Sequence, residues 1–261
     1  MRKQTPTGII GMVHLKALPG SPGYCGNLDN VERDAITDAN TLLAGGVDAL
    51  MVENFGDVPF QKQVQPVTIA AMTRIICSIV ELSSAPVGVN VLRNDPAAAL
   101  AIAAATGASF IRVNVHIGAM VTDQGLIEGK AAETLRLRDS LDLDVAILAD
   151  VGVKHATPFD DDWSLEQEAM DAWNRGLADA LIVSGRGTGN PTRKEDLERI
   201  QQAVPNAKII VGSGVRNETV SEYSLASALI VGTAFKKNGC VENEVELNRV
   251  SELCHSSFVS R

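Results

Sequence analysis

Ala180-Leu181-Ile182-Val183-Ser184-Gly185-Arg186-Gly187-Thr188-Gly189, then Lys208-Ile209-Ile210-Val211-Gly212-Ser213-Gly214-Val215, then Ala228-Leu229-Ile230-Val231-Gly232-Thr233-Ala234-Phe235: three times a short apolar run ends in glycine and a small hydroxyl residue. Each run has the length and β-branched content of a buried parallel strand. Glycine lets backbone N–H groups converge on an anion, and Ser or Thr adds a hydroxyl donor. In (β/α)8 barrels a phosphate site commonly follows the last two strands, at the start of a short extra helix. These stretches therefore predict the closing strands of a barrel. They also predict a phosphate grip made by Ser184, Gly185, Gly187, Thr188, Gly189, Ser213, Gly214, Gly232 and Thr233. Arg186 would add a charge-assisted contact, or is a plain loop arginine. One glycine turn alone would be a weak signal; three in this order are stronger.

Further strand candidates lie upstream: 9–14, 49–54, 87–92, 110–116 and 145–150. With 180–184, 208–212 and 228–232 they make eight. Between them, 30–44, 66–82, 96–105, 130–140, 165–175 and 194–203 have the apolar spacing of surface helices. Several end at glycine (Gly45-Gly46, Gly107, Gly176), which tolerates the left-handed turn that closes a helix. An open doubly wound sheet would show the same alternation. Its dinucleotide-binding variant would carry GxGxxG after the first strand. Here the first strand runs into His14-Leu15-Lys16-Ala17-Leu18-Pro19-Gly20 instead. No linker or low-complexity stretch interrupts the pattern. The expectation is an α/β fold, a single TIM barrel over residues 1–261.

The bulk properties agree. At 261 residues the chain has the length of one barrel, and 45% apolar residues suffice for a sizeable core. A formal net charge of -9 with no basic run argues against a nucleic-acid partner. Cys25, Cys77, Cys240 and Cys254 form no CxxC pair, which points to neither a zinc site nor a disulfide framework. A reducing, cytoplasmic setting is expected. The polar Met1–Thr7 stretch does not read as a signal peptide, and Ala97–Ala105 is too short to span a membrane.

Residues alternate inward and outward along a barrel strand, and catalytic groups come from strand C-terminal ends. In the fourth strand Ile111, Val113 and Val115 would face the helices, leaving Arg112, Asn114 and His116 inside. Unpaired buried polar groups cost about 1–3 kcal/mol each, so such a row needs partners or a ligand. The fifth strand ends at Asp150, with Lys154 and His155 in the following loop. A shielded lysine can serve as general acid/base or form a Schiff base; a structural Asp150–Lys154 ion pair is the alternative. The first three strands end in His14 with Lys16, Glu53-Asn54 with Asp57, and Asn90 with Arg93. The candidate catalytic set is thus His14, Glu53, Asn114, His116, Asp150 and Lys154. No spacing marks a metal site, although Glu53, His116 and Asp150 offer donors that a divalent ion such as Mg2+ accepts. Asp160-Asp161-Asp162 reads as a solvated acidic loop before Ser164, a helix N-cap.

The chain resembles the BtpA/SgcQ family in Gly11-Met12-Val13-His14-Leu15, Leu18-Pro19-Gly20-Ser21-Pro22, Val52-Glu53-Asn54-Phe55-Gly56-Asp57-Val58-Pro59-Phe60 and Val91-Leu92-Arg93-Asn94-Asp95. The likeness continues through Phe110-Ile111-Arg112-Val113-Asn114-Val115, Asp123-Gln124-Gly125, Val153-Lys154-His155-Ala156, Val183-Ser184-Gly185 and Thr188-Gly189. It implies a barrel of the ribulose-phosphate-binding type, in a family named for a cyanobacterial factor needed to accumulate photosystem I and a relative encoded among sugar-metabolism genes. Two departures stand out. The resemblance implies a polar residue, often His, at the position of Gly152. The resemblance likewise implies a more proline-rich first loop where this chain has Leu15-Lys16-Ala17-Leu18.

The expected function is an enzyme working by acid/base chemistry on a small phosphorylated metabolite, a sugar phosphate or nucleotide-like compound. Isomerisation, aldol-type cleavage and hydrolysis all remain open. The alternative is a non-catalytic assembly factor for photosystem I, which would bring peripheral membrane association. A homo-oligomer is expected because many barrels pair.

Overall fold

The computed structural model describes residues 2–160, 162–185, 187 and 190–256. Thr188 and Gly189 of the expected phosphate grip, together with Arg186 and Asp161, lie outside the described residues. Eleven described strands run β1 Gly8–His14, β2 Ala49–Glu53, β3 Val87–Asn90, β4 Phe110–Val113, β5 Ala119–Thr122, β6 Gly125–Glu128, β7 Ala146–Val151, β8 Ala156–Pro158, β9 Ala180–Val183, β10 Ile209–Val211 and β11 Ala228–Val231. Eight of them close in the order β1-β11-β10-β9-β7-β4-β3-β2, every pair parallel. Helices α1 Leu28–Ala44, α2 Pro66–Leu82, α3 Pro96–Thr106, α4 Ala131–Ser140, α5 Leu165–Asn174, α6 Lys194–Ala203 and α7 Leu247–Ser256 alternate with them. Between β10 and β11 only a 3-10 turn, Val220–Tyr223, stands in for a helix.

Strand alternation sorts the core into two layers. Ile10, Met12, Met51, Phe110, Leu148, Ile182, Ile210 and Ile230 fill the barrel interior. Ile9, Val13, Leu50, Val52, Ile111, Val113, Ile147 and Val183 pack outward with the helices. Helix starts follow the expected chemistry: Asn27, Asp95 and Ser164 accept from the N–H three residues on, and proline opens α2 and α3.

Gly107 closes α3 in the left-handed conformation, φ 77°. After α5 the left-handed residue is Leu177, φ 51°, rather than Gly176. Gly176 is needed for close approach instead: a Cβ there would lie 2.8 Å from Ile117 Cγ2 and 3.0 Å from His116 Cδ2.

Sequence periodicity did not reveal β5, β6 and β8. They form a three-stranded antiparallel sheet, order β6-β5-β8, from the segments that follow β4 and β7. The hairpin turns at Asp123-Gln124-Gly125, where Gly125 has φ 84°.

β4 also ends earlier than expected, at Val113. The Asn94 side chain takes both backbone groups of Val115, donating Nδ2 to its O and accepting its N–H on Oδ1, each at 2.9 Å. The chain therefore leaves the ladder at Asn114, and the inward alternation stops before His116. No described helix is long and apolar enough to cross a membrane.

Candidate active site

The carboxyl ends of the barrel strands open into a cavity of about 1340 Å³. Register stacks its floor. His14 of β1 is level with Glu53 of β2, Glu53 with Asn90 of β3, and Asn90 with Arg112 of β4. One layer higher on β7 sits Asp150, which follows inward-facing Ala146 and Leu148 at the strand's period of two.

Asp150 is closed on three sides. Arg112 donates Nε to Oδ1 and Nη2 to Oδ2, each at 2.9 Å, and Asn114 Nδ2 donates to Oδ2 at 2.9 Å. Asn90 Nδ2 in turn donates to Asn114 Oδ1 at 3.1 Å, so the polar row is tied from β3 to β7. Of the two readings of Lys154, the structural Asp150–Lys154 ion pair is the one the structure does not show. The bidentate fork of Arg112 matches a carboxylate better than an ammonium does, and Lys154 forms no ion pair among the described residues.

Lys154 reaches from the turn after β7 across to Gly212, its Nζ donating to that carbonyl at 3.5 Å. Burial first, and the Arg112 charge second, lower its pKa to about 8. Burial likewise pushes His14 down to about 3, helped by Lys236, Lys154 and Arg112, so its imidazole is neutral at pH 7. Its Nε2 lies 3.9 Å from Glu53 Oε1, and its ring stands 4.6 Å from that of Phe55. Glu53 is shifted the other way, upward, because burial outweighs the pull of Arg112 and Lys154. Arg93, whose Nη2 donates to the Lys154 carbonyl, completes this wall.

His116 is not in this constellation. It is buried with Nε2 at 2.8 Å from the Gly176 carbonyl at the end of α5, because the chain has already turned aside at Val115. Glu53, His116 and Asp150 therefore do not converge. Among the described residues no three His, Cys, Asp or Glu side chains come together as a metal-ligand set.

The glycine turns divide similarly. Gly212, Ser213, Gly214, Gly232 and Thr233 line the cavity; Ser184, Gly185 and Gly187 do not. The Gly185 N–H is already donated to Ser213 Oγ at 2.9 Å, and that hydroxyl donates to the Asn190 carbonyl at 3.1 Å. Gly185 and Gly214 are required by packing, since a Cβ would lie 2.4 Å from Asn190 O at the first and 2.2 Å from Pro191 Cα at the second. Among the described residues, the backbone N–H groups of Ser213, Gly214, Thr233 and Ala234 donate to no acceptor. The chain turns into a 3-10 helix at Thr233–Phe235, the short extra helix expected after the eighth barrel strand.

Gly152, where many relatives are expected to be polar, has φ 63°. Its N–H donates to Glu168 of α5 at 3.0 Å, and the same oxygen of Glu168 accepts Trp163 Nε1 at 2.9 Å. Burial raises Glu168 to a pKa of about 7.

A closed eight-stranded parallel barrel with helices between its strands and a cavity at the strand ends is a TIM-barrel protein. The chain belongs to the BtpA family, whose pattern matches residues 5–257. It is 48% identical over 250 residues to the photosystem I biogenesis protein BtpA of Synechocystis sp., covering 95% of this chain and 87% of the relative. It is 36% identical to the putative sgc region protein SgcQ of Escherichia coli, with 95% and 93% covered. Among solved structures it resembles a phosphoribosyl anthranilate isomerase from Thermus thermophilus, with TM-score 0.56, 12% identity, and 95% and 97% of the chains covered. KGPDC from Streptococcus mutans gives 0.55 at 12% identity, with 97% of each chain covered. At such identities these structures bear on the fold alone.

Proposed function

We propose that this chain is an enzyme acting by acid/base chemistry on a small phosphorylated metabolite. The observation that carries this reading is Lys154, a half-buried lysine with no ion-pair partner among the described residues, held between the Asp150 cluster and the β10 turn. With a pKa of about 8, Lys154 offers both a proton donor and a neutral amine close to neutral pH, where general acid/base groups are most effective. Glu53, made harder to ionise by burial, and neutral His14 stand on the same floor as its partners. Asp150 takes a different role: it holds Arg112 and Asn114 in place. The phosphate would dock on the N–H groups of Ser213, Gly214, Thr233 and Ala234 with the Thr233 hydroxyl, and its binding energy would orient the reacting carbons over Lys154.

The reading is tested by melting the protein in inorganic phosphate and a panel of phosphorylated metabolites, with and without Mg2+. At a hundred times Kd a ligand stabilises by about 2.7 kcal/mol. A Lys154→Met variant is expected to keep that shift and lose turnover. If no phosphorylated compound moves the melt, the reading falls.

A further inference from the structure

Buried cations of this barrel end are mostly matched. Arg112 is closed by Asp150, and Lys236 by Asp38. Half-buried Lys154 and buried Arg93 are not, and of the two only Arg93 is an arginine, which keeps its proton. It lies on the cavity wall at 7% exposure and forms no ion pair among the described residues. Its backbone N–H donates to Gln61 O at 2.9 Å, and among the described residues its side chain donates only from Nη2 to the Lys154 carbonyl. A guanidinium carries five N–H donors, so one carbonyl leaves most of the fork uncommitted on a residue that lines the cavity. Asp150, Asp123 and Glu53 act on it only at longer range, and burial is the largest influence on its pKa, in the downward direction. An arginine cannot escape burial by losing its proton, so the missing counter-charge has to come from an anion.

Its place in the barrel gives that anion a meaning. In the closed order β1-β11-β10-β9-β7-β4-β3-β2, β3 stands four strands from β10 in either direction, diametrically opposite. Arg93 follows β3, whereas the Gly212-Ser213-Gly214 turn follows β10. We propose that Arg93 is a second anion-binding residue, and that the ligand carries an oxyanion at each end, a phosphoryl group at the β10 and β11 turns and a carboxylate or second phosphoryl group on the Arg93 fork. The first end rests on the phosphorylated-metabolite reading above; the Arg93 end stands on its own geometry.

Calorimetric titration with matched probes tests it: glycerol 3-phosphate with one oxyanion, 3-phosphoglycerate and 1,4-butanediol bisphosphate with two, and succinate with two carboxylates and no phosphate. The two-ended phosphorylated probes are expected to bind at least tenfold more tightly than glycerol 3-phosphate. Arg93→Gln erases that advantage while leaving glycerol 3-phosphate within twofold of the parent. Arg93→Lys, which keeps the charge and loses the fork, retains part of it and serves if the Gln variant does not fold. The carboxylate and bisphosphate arms tell which oxyanion Arg93 takes. Equal binding of one-ended and two-ended probes, an advantage that survives both substitutions, or no binding at all overturns the proposal. If succinate binds and is lost in Arg93→Gln while no phosphorylated probe binds, the Arg93 site stands and the phosphate reading falls.

Discussion

Replacing Asp150 with Asn would place an amide where three donors now meet a carboxylate. Arg112 supplies two of the 2.9 Å bonds and Asn114 the third, and the Asp150 side chain is wholly enclosed. In the variant one oxygen is lost, and the new NH2 group faces N–H donors of Arg112 or Asn114. Removing one partner of a buried ion pair leaves the other charge uncompensated and costs about 3–5 kcal/mol. For a chain of this size, at roughly 2–4 °C per kcal/mol, that is a fall in Tm of roughly 6–20 °C. Urea unfolding and calorimetry of Asp150→Asn, Arg112→Met and an Arg112→Met/Asp150→Leu double variant measure it. The double variant should cost clearly less than the two single changes summed, because it removes both charges and leaves apolar groups to pack. A loss below about 1 kcal/mol for Asp150→Asn, or strict additivity, would mean that the pair does not organise this wall.

Lys154 has a folded-state pKa of about 8 against 10.5 for the free side chain, so the unfolded chain binds the extra proton between those values and stability rises with pH across that window. Lys154→Met should therefore be more stable than the parent at pH 7, by on the order of 3 kcal/mol, with the gap closing by pH 10.5; a gap independent of pH in urea titrations would contradict it. Glu168 is shifted upward, from 4.5 to about 7, so its contribution is complete below pH 4.5 and is lost as pH rises through 7. Melting curves at pH 4.5 and 8 should show Glu168→Gln avoiding a loss on the order of 3 kcal/mol that the parent suffers. Gly88→Ala would put a Cβ 2.0 Å from the Phe110 ring inside the barrel, and should cost about 1–3 kcal/mol or more by denaturant titration, with recovery in a Gly88→Ala/Phe110→Leu pair.

The eight barrel strands were legible because buried parallel strands are continuous apolar runs, and the turns after β10 and β11 because glycine and hydroxyl residues follow those runs directly. The inward row of β4 was legible as far as Asn114. His116 was not, because Asn94, distant in sequence, captures the backbone of Val115 and ends the alternation. The small β5, β6 and β8 sheet escaped notice because its strands are short and the partners β5 and β8 are separated by all of α4 and β7. Arg93, Arg112, Asp150 and Lys154 could each be seen at a strand end. Which carboxylate meets which cation depends on the closing of the barrel, which places β4 beside β7 and β3 opposite β10. Local sequence thus determined the strands, the helix caps and the polar character of the strand ends, since these depend on neighbouring residues. Only the tertiary structure decided that Asp150 serves Arg112, that Lys154 leans to Gly212, and that Arg93 lines the cavity with no counter-ion among the described residues. Electrostatic pairing is a matter of distance in space, and the chain does not carry that distance along its length.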